Sequence, residues 1–121
     1  MSRRTERLGE LIRAEVSELL RRRVNDPRLA SMLTVTQVKV AADLSQAQVY
    51  VSVMGSDEEK AAAMAALHAA SGFLRRELAG RLAIRRLPTL TFRYDETMEQ
   101  ASRLFSILHD LDSHEVASGE D

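Results

Sequence analysis

The chain has no cysteine and no tryptophan, only two prolines and five glycines, and aromatic residues fill 4% of its 121 positions. Without cysteine there are no disulfides, thiolate metal sites or cysteine nucleophiles. With so few aromatics the core has to be aliphatic. An apolar content of 45% suffices for one modest domain. No apolar run approaches the roughly 20 residues of a membrane-spanning helix. The basic start, Met1 to Arg7, is followed by no apolar signal core. The expectation is a soluble, cytoplasmic protein. Catalytic signatures are missing as well: there is no phosphate-binding glycine loop, dinucleotide fingerprint or Ser/His/Asp arrangement. His68, His109 and His114 do not cluster with carboxylates at ligand spacing, so no metal or other cofactor is expected. Glu58 and Glu59 read as cap and helix-dipole residues before acid–base groups. An enzyme is the least supported reading.

What the chain does have is sorted charge. The net value of −1 conceals +3 over residues 1–28, −2 over 29–69, +5 over 70–93 and −7 over 94–121. Fifteen of the 17 cations are Arg. Its planar fork grips phosphate at two points and stacks on bases. A GC-rich genome would raise the Arg-to-Lys ratio but would not sort charge along the chain. A basic body with an acidic tail is the pattern of a face that meets a polyanion.

Periodicity predicts the elements. Residues 3–24 form a helix, with Leu8, Ile12, Val16, Leu19 and Leu20 on one stripe and Leu11 and Val24 widening it. Asn25-Asp26-Pro27 ends it. Residues 33–40 read as a strand whose alternation slips near Gln37, where a bulge is expected. Ala42-Asp43-Leu44-Ser45 is a turn. Residues 46–54 alternate cleanly, Ala47, Val49, Val51 and Val53 against Gln48, Tyr50 and Ser52, so helices should cover one sheet face only. Ser56 to Glu59 is a capping box, and an Ala-rich second helix runs from 57 to about 70. Thr89–Tyr94 is a third strand, with Leu90 and Phe92 inward. Thr97 is expected to cap a last amphipathic helix carrying Met98, Ala101, Leu104, Phe105 and Leu108. Residues 112–121 are acidic and small and are expected to be disordered.

Gly72 stands out. It interrupts an otherwise helical stretch in Ala70-Ser71-Gly72-Phe73-Leu74-Arg75-Arg76. Glycine within a helix costs about 1 kcal/mol relative to Ala, and a Gly/Ser pair is a recognised cause of kinks. A break here is expected to start a third helix, over Phe73 to Leu82, whose exposed N–H groups and following arginines would suit a phosphate. The plain alternative is close packing, with Gly72 letting the helix approach the sheet or the first helix.

The resulting α-β-β-α-kink-α-β order, with a C-terminal helical extension, resembles the KH RNA-binding domain in its type II arrangement: α+β, three strands, helices on one face. Five stretches in order resemble the ribosome-binding factor A family. These are the first helix ending in Asn25-Asp26-Pro27-Arg28; Ala42-Asp43-Leu44-Ser45, followed by Val49-Tyr50-Val51; Ala70 to Arg75; and Leu87 to Asp95. The resemblance implies a KH-like domain over 1–95, followed by a helical segment at 96–111 and a tail at 112–121. It further implies a non-enzymatic assembly factor that binds the free 30S subunit, assists late 16S rRNA folding and processing, and leaves before translation. Cold adaptation and a monomeric state belong to the same implication. The KH GxxG clamp is absent; Ala70-Ser71-Gly72 stands in its place and resembles the family's Ala-x-Gly kink.

The candidate RNA-contacting residues are Arg3, Arg4, Arg7, Arg28, Ala70, Ser71, Gly72, Arg75, Arg76, Arg81, Arg85 and Arg86, with Arg93 in the same basic stretch. Arg3, Arg4 and Arg7 oppose the dipole of the first helix, which argues for a partner that favours them. Arg21, Arg22 and Arg23 complement that helix's C-terminus and need no partner. Tyr50 and Tyr94 are able to stack on bases but are ordinary strand residues. A second reading is a small protein-interaction module that docks through the C-terminal amphipathic segment.

Overall fold

The computed structural model describes residues 2–22 and 33–119. The predicted Asn25-Asp26-Pro27 stop, Arg23, Val24 and the candidate Arg28 lie outside the described residues. The order is α1 (Arg3–Arg22), β1 (Leu33–Val40), β2 (Gln46–Val53), α2 (Asp57–Arg81), β3 (Thr89–Tyr94) and α3 (Thr97–Gly119). This is the expected α+β architecture.

Helix α1 begins where Ser2 can cap it. The Ser2 hydroxyl accepts the Thr5 N–H at 3.2 Å, and the Thr5 hydroxyl donates back to the Ser2 carbonyl at 2.9 Å. Leu8, Ile12, Val16, Leu19 and Leu20 are buried as the spacing predicts. Leu11 is not: it stays 52% exposed, because its position turns away from the sheet and towards the α2–β3 loop.

The sheet order is β1-β2-β3, with β1 antiparallel and β3 parallel to the central β2. The expected bulge lies between Val35 and Gln37. Ala47, Val49 and Val51 are completely buried while Gln48, Tyr50 and Ser52 are only half-buried. Helices α1 and α2 contact each other and the same inner face, leaving the other face open. A parallel β2–β3 pair requires a crossover, and α2 supplies it. Its start is the predicted capping box: Ser56 accepts the Glu59 N–H and Glu59 accepts the Ser56 N–H.

One feature of the sequence reading is overturned. Helix α2 runs unbroken from Asp57 to Arg81, so the separate third helix and its N-terminus do not form. Leu67 on one side of Gly72 and Leu74 and Leu78 on the other are all fully buried. Their burial on a common core outweighs the local cost of a single glycine, as packing usually does over propensity. Ser71 donates to the His68 carbonyl at 2.9 Å, one turn back along the helix, instead of starting a new one.

Close packing at Gly72 is overturned too. Gly72 is exposed, and a Cβ there would meet only the Arg76 guanidinium at 3.6 Å. The close approach is at Gly9, where a Cβ would lie 2.8 Å from the Val38 carbonyl oxygen. Gly9 therefore lets α1 settle directly on the backbone of β1.

Helix α3 is tied down at its first turn. Thr97 is the first helical residue rather than the cap, and Asp95 holds it: the Asp95 carboxylate accepts the Thr97 N–H at 2.9 Å and the Thr36 hydroxyl at 2.5 Å. Lys60 on α2 pairs with Glu99, which also accepts the Tyr94 hydroxyl at 2.8 Å. Beyond that turn Leu104, Phe105 and Leu108 remain exposed. The helix continues to Gly119, past the end expected at 111 and through most of the segment expected to be disordered. Propagating a formed helix costs little compared with nucleating one.

Candidate nucleic-acid interface

Three segments distant in sequence meet at the end of the sheet where β2 and β3 begin. They are the first turns of α1, the turn between β1 and β2, and the loop between α2 and β3. Together they line a groove of about 810 Å³. Arg3, Arg4 and Arg7 stand on one wall and Arg85 and Arg86 on the other. Leu8, Leu11, Leu44, Ala83 and Ile84 complete it, with Asp43 as its one carboxylate.

Ion pairing sorts the candidate arginines into two kinds. Arg81 bonds Glu15 of α1 at 3.1 Å. Arg75 donates to the Leu87 carbonyl at 3.4 Å and so braces the α2–β3 loop. Arg21 and Arg22 pair with Glu18, in keeping with their structural reading. By contrast Arg3, Arg4, Arg7, Arg85 and Arg86 are exposed, and none pairs with another described residue. Asp43 makes no ion pair with any of them. Its carboxylate accepts the Ser45 hydroxyl at 2.7 Å and the Ser45 N–H at 3.1 Å. Those bonds, the hydroxyl's first, hold its carboxyl below the usual value, so the charge is present but engaged.

Five unpaired guanidinium groups in one groove repel each other. Two of them, Arg3 and Arg4, also sit in the first turn of α1, at the positive end of its dipole, where cations are unfavourable. An arrangement disfavoured in the isolated protein is relieved by a polyanion. Among the described residues no group of His, Cys, Asp and Glu is placed to hold a metal ion, and no helix is long and apolar enough to cross a membrane.

Ala70, Ser71, Gly72 and Arg76 lie instead on α2, half-buried or exposed. Gly72 and Arg76 are neighbours, leaving a stretch of helix backbone without a side chain beside a cation. Arg93 is exposed on the open sheet face, directly across from Tyr50. Lys39 already lies over the Tyr50 ring, 5.4 Å from its centroid, and Lys60 lies at the same distance over Tyr94. The groove's apolar lining is not evident in the sequence, because helical spacing assigns Leu11 to the core stripe. Its one signal is the short apolar run Leu82-Ala83-Ile84 between Arg81 and Arg85.

The ribosome-binding factor A family model matches residues 4–108. A curated relative, ribosome-binding factor A of Dictyoglomus thermophilum, is 48% identical over 111 residues, 92% of each chain. The crystal structure of ribosome-binding factor A from Thermus thermophilus superposes with a TM-score of 0.66 at 33% identity, covering 74% of this chain and 93% of that one. A Thermus thermophilus ribosome-binding factor A model fitted into a cryo-EM map of a 30S complex gives a TM-score of 0.60 at 32% identity, covering 73% and 91%. With the matching fold and order of elements, the chain belongs to the ribosome-binding factor A family.

Proposed function

We propose that the protein binds the free 30S ribosomal subunit through 16S rRNA, assists the late folding and processing of that RNA, and leaves before translation. The observation that carries this is the gathering of five unpaired arginines from two sequence-distant segments into one groove. A relative of the same fold, fitted into a map of its 30S complex, supports the choice of partner. Arginine and backbone contacts position phosphates without reading bases. The protein acts by differential binding: it favours an immature rRNA conformation and is released when that conformation is lost. It acts as a monomer and catalyses no reaction. The protein's share of the work is to hold, with cold-sensitive rRNA folding as the process it helps.

Co-sedimentation with free small subunits and with 70S ribosomes tests this. Binding to the free subunit alone is expected, and equal binding to both, or to neither, refutes it. Five phosphate contacts give a log–log salt slope of about −3.5 to −4.5. Affinity then falls by roughly two orders of magnitude between 50 and 200 mM salt. The exposed stripe of Leu104, Phe105 and Leu108 on α3 favours a second reading, docking on a protein. An apolar interface of that kind would be nearly salt-insensitive.

A further inference from the structure

A groove that only neutralised phosphates would need no apolar floor. This one has Leu11 left 52% exposed and Ile84 36% exposed between its arginine walls. Leu44, beneath them, holds a backbone φ of +63°. That left-handed region is unfavourable for a residue other than glycine. Asn or Gly would occupy it more easily. The turn keeps leucine there, with its side chain partly buried against the rim of the core. The groove thus combines exposed aliphatic surface, a strained residue that shapes its floor, and a ring of planar cations.

We infer that the groove takes an unpaired nucleotide of single-stranded RNA, its base laid on Leu11 and Ile84 and its flanking phosphates gripped from the two arginine walls. This rests on the RNA-binding reading above and narrows it from a phosphate face to a base-inserting subsite. The groove's size, about 810 Å³, falls in the range of sites that enclose one small ligand. A paired base offers no free face, so a duplex would touch only the rim. All five cations are Arg, which bonds phosphate in two places and stacks on bases. The lining's one acceptor side chain is Asp43, whose Oδ1 is held by Ser45 while its Oδ2 stays free. A single such acceptor gives only weak discrimination among bases. An acidic amphipathic peptide would match the charge but offers no planar group for the guanidinium faces.

The test uses three labelled probes in fluorescence anisotropy: a short single-stranded RNA, the blunt duplex of that sequence, and an abasic strand of equal length. The full chain is compared with Leu11→Ser and Ile84→Ser, whose parent side chains are exposed. The wild-type protein is expected to prefer the single strand to the abasic strand by about tenfold, and each variant to lose about fivefold on the single strand alone. Arg85→Gln with Arg86→Gln should weaken binding to all three. Should one serine variant lower the melting temperature, the other decides. Equal wild-type affinity for single and abasic strands, with unchanged binding by the serine variants, overturns insertion while leaving RNA binding standing. No binding to any probe overturns both. Tight binding of a synthetic peptide of residues 97–112 in place of RNA also overturns it, in favour of a protein partner.

Discussion

Replacing Gly72 and Gly9 by alanine should move stability in opposite directions. At Gly72 the new methyl meets only the end of a flexible Arg76 side chain, at 3.6 Å, within ordinary contact. Alanine there recovers the propensity that glycine forfeits, about 0.5–1 kcal/mol. In a domain of this size that raises Tm by roughly 2–4 °C. At Gly9 the methyl meets the Val38 carbonyl oxygen at 2.8 Å. A backbone carbonyl in a paired strand cannot swing aside, so α1 must lift from the sheet. Overpacking of that kind costs about 1–3 kcal/mol, and the gain in propensity offsets only part of it. A net loss of about 1–2 kcal/mol is expected. Urea and thermal unfolding followed by far-ultraviolet circular dichroism measure both variants. A destabilised Gly72→Ala would show that α2 does need its glycine for a break or a close contact. A stabilised Gly9→Ala would refute the close seating of α1. Measured beside 30S binding, Gly72→Ala also isolates function: a more stable protein with weaker binding assigns the bare backbone next to Arg76 to the interface.

Ser56→Ala removes the acceptor of the capping box and should cost about 1 kcal/mol in urea unfolding; no loss would mean that the first turn of α2 is held by tertiary packing alone. Replacing Arg3 and Arg4 by Gln should lower affinity for free small subunits and make the salt slope shallower by about 1.4–1.8, measured by binding at several salt concentrations. An unchanged slope would take the α1 wall out of the interface. The anchor of α3 should depend on pH. The Thr36 hydroxyl holds the Asp95 carboxyl below its usual value, and the Lys60 ammonium, with the Tyr94 hydroxyl, does the same for Glu99. Depressed carboxyls contribute stability above their unfolded values, near pH 4, and lose it as pH falls through the lower folded values. Loss of the contacts between the first turn of α3 and Lys60 and Thr36 should therefore appear in NMR shifts below about pH 4, and contacts that loosen above it would refute the assignment.

Much of the fold was legible because its determinants are local. The buried stripe of α1, the strict alternation of β2 and the Ser56–Glu59 cap each involve residues within a few positions of each other. A period of 3.6 or 2 states which side faces inward without reference to the rest of the chain. The bulge near Gln37 was readable for the same reason. Gly72 misled because propensity is also local: it measures the cost of glycine in an isolated helix, while the burial of Leu67, Leu74 and Leu78 on one core decides whether that cost is met.

By itself the sequence determined the α+β order, the one-sided sheet, the aliphatic core and the segregation of basic body from acidic end. The family resemblance also rested on those residues alone. Only the tertiary structure decided which arginines are free. Arg81 is neutralised by Glu15, 66 positions away, and Arg75 is spent on the loop it braces, while Arg3, Arg4 and Arg7 meet Arg85 and Arg86 across a groove. Charge counts along a chain do not contain that information, because pairing depends on distance in space and falls away within a few ångströms. The close-packed glycine is a case of the same kind. Gly9 lies in the middle of an ordinary helical pattern, and nothing marks it until β1 is laid against α1.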